Sequence, residues 1–578
     1  MNENNNELEM MQRHGMAHVL AKALTKMYKG VKLTIGPAIE NGFYYDIDLD
    51  KSITPDDFKA IEEKMAEIIK KDEPFVRKEV SKKEALEIFK DNPYKLEIIN
   101  ELPENETISI YYLGDDFVDL CRGPHVESTK YLRSFAYKIN KVAGAYWRGN
   151  EKNKMLQRVY VYGFASKDAL KDYMHMMEEA AKRDHRKLGK ELQLFFISEY
   201  SKGMPTYMPK GLILKNELIK YWRELHQKAG YVEIETPMAM NRQLWEISGH
   251  WDHYKDNMYT FKCEDDTFAI KPMNCPGGML YYMQSKHSYK EFPLRVGELG
   301  KVHRHEASGT LSGLLRVRCF TQDDAHIFML PNQIESEIKG VMALVDKVYS
   351  TFGLKYSVEL STMPDNHIGE ISEWQMAETA LENALKHMNL DYKINPGDGA
   401  FYGPKIDIHV KDCIGREWQC GTIQLDMQLP KRFNLTYIDE NGEEKEPIMI
   451  HRVIYGSLER MMSILIENFA GAFPTWLAPV QVKVINVSEA HIEYAKAVKE
   501  NLENYGIRVE LDDRNESMGK KIRESQMQKI PYSLIVGDKE MEAGTVSVRK
   551  RGGVDMGIQT QDEFIKFILK EIKDKVIS

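Results

Sequence analysis

No run in the sequence approaches the roughly 18 consecutive apolar residues of a membrane-spanning helix. The start, MNENNNELEM, lacks the apolar core of a secretory signal. Both absences lead to the expectation of a cytoplasmic chain with no membrane segment. Cysteine is scarce. The six residues at 121, 263, 275, 319, 413 and 420 are too scattered for a disulfide framework and suit a reducing compartment. A strong charge excess is also missing: the net charge of −9 argues against bulk electrostatic attachment to nucleic acid, although local basic patches stay open. From Leu477 onward the lysines and arginines equal the acids, so the negative excess lies earlier. What is present is an ordinary globular composition, 43% hydrophobic and 29% charged. By the usual length prior, a chain of this size holds about four domains.

The most informative stretch runs from Glu298 to Phe328. GKVHRHE and LLRVRCFTQDDAHIF have strand character and flank the Gly/Ser-rich ASGTLSG, which predicts an antiparallel hairpin with a mobile tip. Alternation puts Val302 and Arg304 on one face and His303 and His305 on the other, while Arg316 and Arg318 share a face with Phe320 two residues on. Several guanidiniums and one aromatic ring in a single groove suit a nucleotide, the arginines for phosphate oxygens and the ring for a base. A surface hairpin with solvated arginines is the alternative. Against it, Gln322, Asp323, Asp324 and His326 follow directly, too many polar groups for a merely buried strand.

HRHEASGTLSGLLRVRCFTQDDAHIF closely resembles motif 2 of class II aminoacyl-tRNA synthetases, in the form found in threonyl-tRNA synthetases of bacterial type. The resemblance runs in ordered blocks over residues 1–578. It implies an α/β and α+β multidomain chain: an N-terminal editing domain over 1–165, a linker helix over 166–190, an antiparallel-sheet class II catalytic core over 191–476, and a C-terminal α/β anticodon-binding domain over 477–578.

Residues 8–29 predict a helix whose Met16, Val19, Leu20, Ala23, Leu24 and Met27 form one apolar stripe. His14 and His18, four apart, share the opposite face, which is either solvated or part of a cleft. In DLCRGPHVEST, Gly123 and Pro124 force a loop between Cys121 and His125. On spacing alone, one cysteine and three histidines are either a tetrahedral zinc set or scattered surface groups. GPAIENGFYYDIDLD and CRGPHVEST resemble the family's editing domain. That implies hydrolysis: His14, His18, Cys121 and His125, with Lys95 and Asp119 nearby, surround the ester of a mischarged RNA end, and imidazoles position or deprotonate a water. Serine is threonine minus one methyl, a difference worth only about 1–3 kcal/mol in a pocket, so removal of seryl-tRNA has a physical reason. The family usually carries a small ubiquitin-like domain ahead of this segment. With the first helix starting almost at Met1, that domain is expected to be absent.

SKDALKDYMHMMEEAAKRDHRKLGK predicts a connecting helix ending in a basic cluster, either a solvated face or an RNA contact. LKNELIKYWRELHQKAGYVEIETP predicts a long helix, a break at Gly230 and a strand closing on Pro237; it matches motif 1, which implies a homodimer interface. SGHWDHY implies that His250 lies near the terminal adenosine of tRNA as a general base for the 2′-hydroxyl, an interfacial structural histidine being the alternative. Cys275 in KPMNCPGGM is by itself just a small buried thiol. The resemblance implies more: Cys275, His326 and His451 hold one catalytic zinc ion per subunit. Three protein ligands leave zinc an open position, where the family seats the amino and hydroxyl groups of threonine. Valine lacks the hydroxyl, and a site built for one rejects its absence strongly. Asp324 would accept a hydrogen bond from that hydroxyl, with Gln322, Tyr402 and Gln424 as further threonine contacts.

By the same resemblance Arg304 contacts the α-phosphate, Glu306 the adenine amino group and Arg316 the outer phosphates, while Phe320 stacks on adenine. Fixed guanidiniums then carry the chemistry and no protein nucleophile is needed. ATP is expected to enter with Mg²⁺. GDGAFYGPKIDIHV and REWQCGTIQLD alternate as buried antiparallel strands and bring Lys405, Gln419 and Thr422 to the pocket floor, where Lys405 and Gln419 suit ATP or aminoacyl carboxylate groups. MIHRVIYGSLERMMSILIENFAG resembles motif 3: a strand, a turn at Gly456, then Ser457 and a helix whose Arg460 clamps the nucleotide opposite Arg304.

After FPTWLAPVQV, the strands VQVKVINV, IRVEL, YSLIVG and TVSVRKR alternate with helices, predicting a small α/β domain with a parallel core. It looks like the anticodon-binding domain of several class II synthetases, with Arg514, Asn515, Arg523, Glu540 and Arg549 as candidates for reading bases. RKR at 549–551 is alternatively a basic edge strand guarding against aggregation. The implied partners are tRNA(Thr), L-threonine and ATP. Two rivals remain: another class II synthetase such as prolyl or seryl, and a non-catalytic RNA-binding paralogue. The Cys275/His326/His451 set and the editing segment weigh against the first, the retained motif 2 and motif 3 arginines against the second.

Overall fold

The computed structural model describes residues 3–103, 106–412 and 415–577, so Cys413 lies outside the described residues. It divides into two compact units, Met1–Glu178 and Glu179–Ser578.

The first unit is built around helix α1, Glu3–Met27. Its apolar stripe is buried as the periodicity predicts apart from the half-buried Met27, but Ala17, His18, Ala21 and Lys22 are buried too. The helix is therefore enclosed on most of its circumference, and the face bearing His18 looks into a cleft. Strand β1 (Gly42–Asp48) and helix α2 (Pro55–Lys70) pack on it through Phe43, Tyr45, Ile61 and Met65. Strands β2 (Phe75–Val80), β3 (Ile108–Leu113) and β4 (Val118–Leu120) form a separate antiparallel sheet, with helix α3 (Pro93–Glu101) between the first two in sequence. Strands β5 (Ala136–Tyr146) and β6 (Met155–Phe164) return to pair with β1 in the order β1-β6-β5. The connecting segment is two helices where one was expected. Helix α4 (Lys167–Arg183) buries no side chain; Asp184 then breaks the run and caps helix α5 (His185–Glu191), which buries His185 and Leu188.

In the second unit, helix α6 (Pro209–Lys228) ends before Gly230, whose φ of +76° only glycine adopts easily, and leads into β7 (Val232–Glu233). Helix α7 (Cys275–Tyr282) precedes the hairpin of β8 (Leu294–His303) and β9 (Cys319–Met329). Helix α8 (Ile334–Thr351), β10 (Tyr356–Ser361), β11 (Tyr392–Asn395), β12 (Lys405–Lys411), β13 (Glu417–Asp426), β14 (Ile448–Val453) and helix α9 (Leu458–Asn468) follow. The strands form one sheet in the order β7-β8-β9-β14-β13-β12-β10-β11, antiparallel except at its two outer pairs. Helices α8 and α9 bury Val341, Val345, Met461 and Leu465 against it. The β8–β9 hairpin is as expected, but its strands stop at His303 and resume at Cys319. Arg304, Arg316 and Arg318 therefore sit in the connecting loop, where strand alternation does not order them.

The C-terminal segment folds as β15 (Val482–Asn486), α10 (Ile492–Asn504), β16 (Val509–Asp512), α11 (Met518–Met527), β17 (Tyr532–Val536), β18 (Thr545–Lys550), β19 (Val554–Thr560) and α12 (Gln561–Lys573). The core β16-β15-β17 is parallel, and β18 and β19 add antiparallel strands. Strand β19 escapes the sequence pattern because two glycines, 552 and 553, obscure a tight hairpin. Its presence makes β18 an interior strand, which overturns the edge-guard reading of residues 549–551. Arg551 instead donates to the carbonyls of Phe473 and Lys529.

Candidate active sites

Strand register creates the first cluster. His326 on β9 and His451 on β14 are direct partners across the antiparallel pair, and Cys275 at the start of α7 approaches them from the side. The three ligand atoms lie within 4.8 Å of one another, and all three residues are buried. His451 Nε2 is 2.8 Å from Asp426 Oδ2, which leaves its Nδ1 for another ligand. That Nδ1 and Nε2 of His326 are buried atoms without a hydrogen-bond partner. Burial alone pushes the Cys275 thiol up, but the imidazoles of His451, His250 and His326 around it outweigh burial and hold the thiol well below its ordinary value. Burial opposes protonation of His451; the Cys275 thiolate and Asp426 reverse this and push it up to about 10. A thiolate and two imidazoles with unpartnered nitrogens fit a three-ligand zinc site with one position open.

A cavity of about 480 Å³ opens from this cluster. At the cluster's end it is lined by Gln322, Asp324, Tyr402 and Gln424. Tyr402 donates to Gln424 Oε1 at 2.5 Å, and Asn274 donates to Asp324 at 3.1 Å. Burial raises the Asp324 carboxyl above its ordinary value. The other end is lined by Arg304, Glu306, Arg316, Phe320, Ser457 and Arg460. Arg304 donates to the Pro272 carbonyl and lies 5.1 Å from the Phe320 ring centre, and Arg316 is paired with Glu306 at 2.8 Å. Arg460 donates to the carbonyls of Leu315, in the β8–β9 loop, and of Gln419. Ser457 caps α9 by accepting from the Arg460 amide. Gln419 and Thr422 form the floor. Lys405 stands beside them, its ammonium held by Asp407 at 2.7 Å. His250 is fully buried, with Nδ1 at 2.8 Å from Ser248 and Nε2 facing the Met273 sulfur; it touches Met273 and Phe401 of the cavity lining without lining the cavity itself.

The second cluster lies in the first unit. His14 and His18 from α1 meet Cys121 and His125 across the loop made by Gly123 and Pro124, with ligand atoms again within 4.8 Å. Cys121 Sγ is 3.3 Å from His14 Nε2 and 3.2 Å from His125 Nε2. Lys95 grips Asp119 at 2.6 Å, Tyr45 donates to the same carboxylate, and His18 lies 3.9 Å from it. Burial, aided by the neighbouring imidazoles, lowers His125 to about 2, and burial also lowers His14 and His18. Burial raises the Cys121 thiol to about 11. At neutral pH the cluster therefore holds neutral imidazoles, which can accept hydrogen bonds from a water, and an intact thiol.

The five C-terminal candidates do not share one arrangement. Arg514 is tied to Asp512 and Glu524, both at 2.6 Å, and Glu540 accepts from the Gly537 amide at the start of a short helix. Asn515 and Arg523 are exposed, while Arg549 keeps a buried Nε without a hydrogen-bond partner.

Three family models match the chain: the tRNA synthetase class II core domain (G, H, P, S and T) over 259–469, an anticodon binding domain over 481–571, and the threonyl and alanyl tRNA synthetase second additional domain over 108–160. A threonine–tRNA ligase of Clostridioides difficile is 58% identical over 97% of this chain and 88% of its own length. One of Caldanaerobacter subterraneus subsp. tengcongensis is 59% identical over 98% of this chain and 87% of its own. The chain belongs to the threonine–tRNA ligase family. Among solved structures, the RNA binding domain of threonyl-tRNA synthetase from Cryptosporidium parvum Iowa II is 42% identical, with a TM-score of 0.66 over 67% of this chain and 98% of that one.

Family motifs point to the residues that line the cavity and miss the ones that hold them. Asp407 is 1% exposed and accepts from Gln419, Thr422, Lys405 and Ser361. Asp323 accepts from three successive amides, Ile454, Tyr455 and Gly456, in the turn before α9, and burial raises it to about 6. A signal for Asp407 exists in the sequence: on a strand it shares a face with Lys405, two residues earlier.

Proposed function

We propose that the two clusters divide the work of a threonine–tRNA ligase: formation of threonyl-adenylate from L-threonine and ATP with transfer to tRNA(Thr) in the second unit, and hydrolysis of seryl-tRNA(Thr) in the first. The observation that carries the synthetic half is a single cavity with a thiolate–imidazole cluster at one end and three guanidiniums at the other. Arg304, Arg316 and Arg460 neutralise the phosphates as the threonine carboxylate attacks the α-phosphate and pyrophosphate leaves. Phe320 stacks on adenine and Glu306, released from Arg316, takes the adenine amino group. Lys405, Gln419 and Thr422 bind the nucleotide or adenylate from the floor, and Ser457 sets the Arg460 helix. Gln322, Asp324, Tyr402 and Gln424 surround threonine, Asp324 accepting from its hydroxyl.

Cys275, His326 and His451 would hold one zinc ion, which when bound would offer its open coordination sphere to the amino and hydroxyl groups of threonine. ATP arrives with Mg²⁺. His250 is the candidate base at the 2′-hydroxyl of the tRNA end, reached once Met273 moves aside. In the first unit His14, His18 and His125 serve a water near Cys121, and Asp119 is fixed by Lys95. Arg514, Asn515, Arg523, Glu540 and Arg549 are taken as the anticodon contacts. The corresponding domains are 1–165, 166–190, 191–476 and 477–578. A cytoplasmic homodimer suits the chain: the cysteines described are free, and β7 forms the outer edge of the large sheet with Val232 half exposed. No helix among the described residues is long and apolar enough to cross a membrane.

Aminoacylation assays test the proposal. Threonine charged to tRNA(Thr), with added seryl-tRNA(Thr) hydrolysed by the same chain, is the expected result. Charging without seryl-tRNA hydrolysis would remove the proposed role of the first cluster.

A further inference from the structure

The basic cluster RDHRK, which the sequence offers as a solvated or RNA-facing surface, contains one residue that is neither. His185 is 2% exposed. Its Nδ1 lies 2.7 Å from Glu467 Oε1, and its Nε2 accepts a hydrogen bond from the Leu314 amide at 3.0 Å. Because an amide N–H points at Nε2, that nitrogen must carry the lone pair; the ring proton sits on Nδ1 and is donated to Glu467. Both ring nitrogens are thus used, on two different parts of the site already described.

Glu467 lies at the C-terminal end of α9, the helix that carries Arg460, and Leu314 lies in the β8–β9 loop beside Arg316. That loop is anchored: Leu314 and Leu315 are buried, and the Leu315 carbonyl accepts from Arg460. Gly313 is a second, independent sign of the contact. A Cβ built there would fall 2.1 Å from His185 Nε2, and its φ of +52° is one that glycine tolerates best. The loop therefore approaches His185 as closely as a backbone without a side chain allows.

We propose that His185 is a positioning residue for ATP: it locks the tip of the motif 2 loop to the motif 3 helix, so that Arg316 and Arg460 face the phosphates from fixed places. The inference rests on the reading of these arginines as nucleotide contacts. The threonine end of the cavity is built on β9, β13, β14, α7 and the Tyr402 loop before β12, none of which His185 touches through its ring nitrogens, so the effect belongs to the nucleotide.

The test is ATP–pyrophosphate exchange with the full chain, with active-site titration and thermal unfolding alongside. His185→Ala is expected to raise KM for ATP at least ten-fold while KM for threonine stays within two-fold. His185→Gln, whose amide oxygen reaches the position of Nε2, should recover most of the loss, and Gly313→Ala should raise KM for ATP in the same direction. Unchanged KM for ATP in His185→Ala at full active-site titre would overturn the inference. So would equal losses for both substrates with no recovery by glutamine. Arg316→Ala separates the two levels: if it raises KM for ATP and His185→Ala does not, only the positioning role falls; if it leaves KM for ATP unchanged, the nucleotide reading falls and the inference with it.

Discussion

His326 and His451 face each other across two adjacent antiparallel strands, with ring centres 5.0 Å apart. Neither is near Cys275 in sequence; hydrogen-bonded register alone brings the pair together, and α7 delivers the thiol. Asp426 fixes the His451 ring from the neighbouring strand. Partners of this kind orient a metal-binding imidazole, and their loss costs about 10- to 100-fold in metal affinity. Asp426→Asn should weaken zinc binding by that order in chelator competition, and undiminished affinity would contradict the assignment.

Asp407 gathers four donors on one buried carboxylate. Asp407→Asn turns one acceptor oxygen into a donor opposite either Lys405 or the Gln419 amide. Hydrogen bonds to charged groups contribute roughly 1.5–3 kcal/mol. A fall of about 10- to 100-fold in kcat/KM for ATP is the corresponding expectation, in a protein that still saturates with threonine. A lowered Tm with unchanged kcat/KM would make Asp407 a packing residue only.

His14 touches the Cys121 sulfur and the Pro124 carbonyl, and the described residues that line the synthetic cavity do not include it. Removing a positioned base costs about 10²-fold or more. His14→Asn should therefore slow seryl-tRNA hydrolysis by at least that order and leave threonine-dependent exchange within two-fold. Equal loss of both activities would end the division of labour between the clusters.

The lowered histidines of the first unit also tie its stability to pH. Each is neutral when folded and binds a proton when unfolded below about 6.5, so the unfolded state holds more protons and stability falls as pH drops through that value toward 2. One such group weakens the fold by up to about 1.4 kcal/mol per pH unit in this window. Hydrogen exchange of the β5 and β6 amides, corrected for the intrinsic rate, should show protection declining from pH 7 to pH 5. His125→Gln should flatten that decline; identical slopes would show that His125 is not the coupled group.

The periodic elements were legible in the sequence because core packing leaves a period: the α1 stripe lies where the pattern places it, and Ile406, Ile408 and Val410 of β12 join the core at alternate positions. The loop holding Arg304 and Arg316 was not, since strand alternation carries no information where no strand continues. Cys275, His326 and His451 were found only through resemblance, because strand register has no fixed spacing along the chain. Asp407 and His185 were missed for a different reason. Their types read as surface charge; strand alternation places Asp407 on the face of Lys405, but tertiary contacts are needed to show that each is buried and fully hydrogen-bonded.

On the function proposed above, one cavity activates threonine, with a metal at the cluster end reading its hydroxyl. ATP–pyrophosphate exchange with threonine, serine and valine, before and after zinc chelation, tests it most directly. Strong exchange with threonine, weaker with serine, none with valine, and loss on chelation restored by zinc is the expected result. Threonine exchange that survives complete removal of the metal, or valine activated as well as threonine, would contradict it.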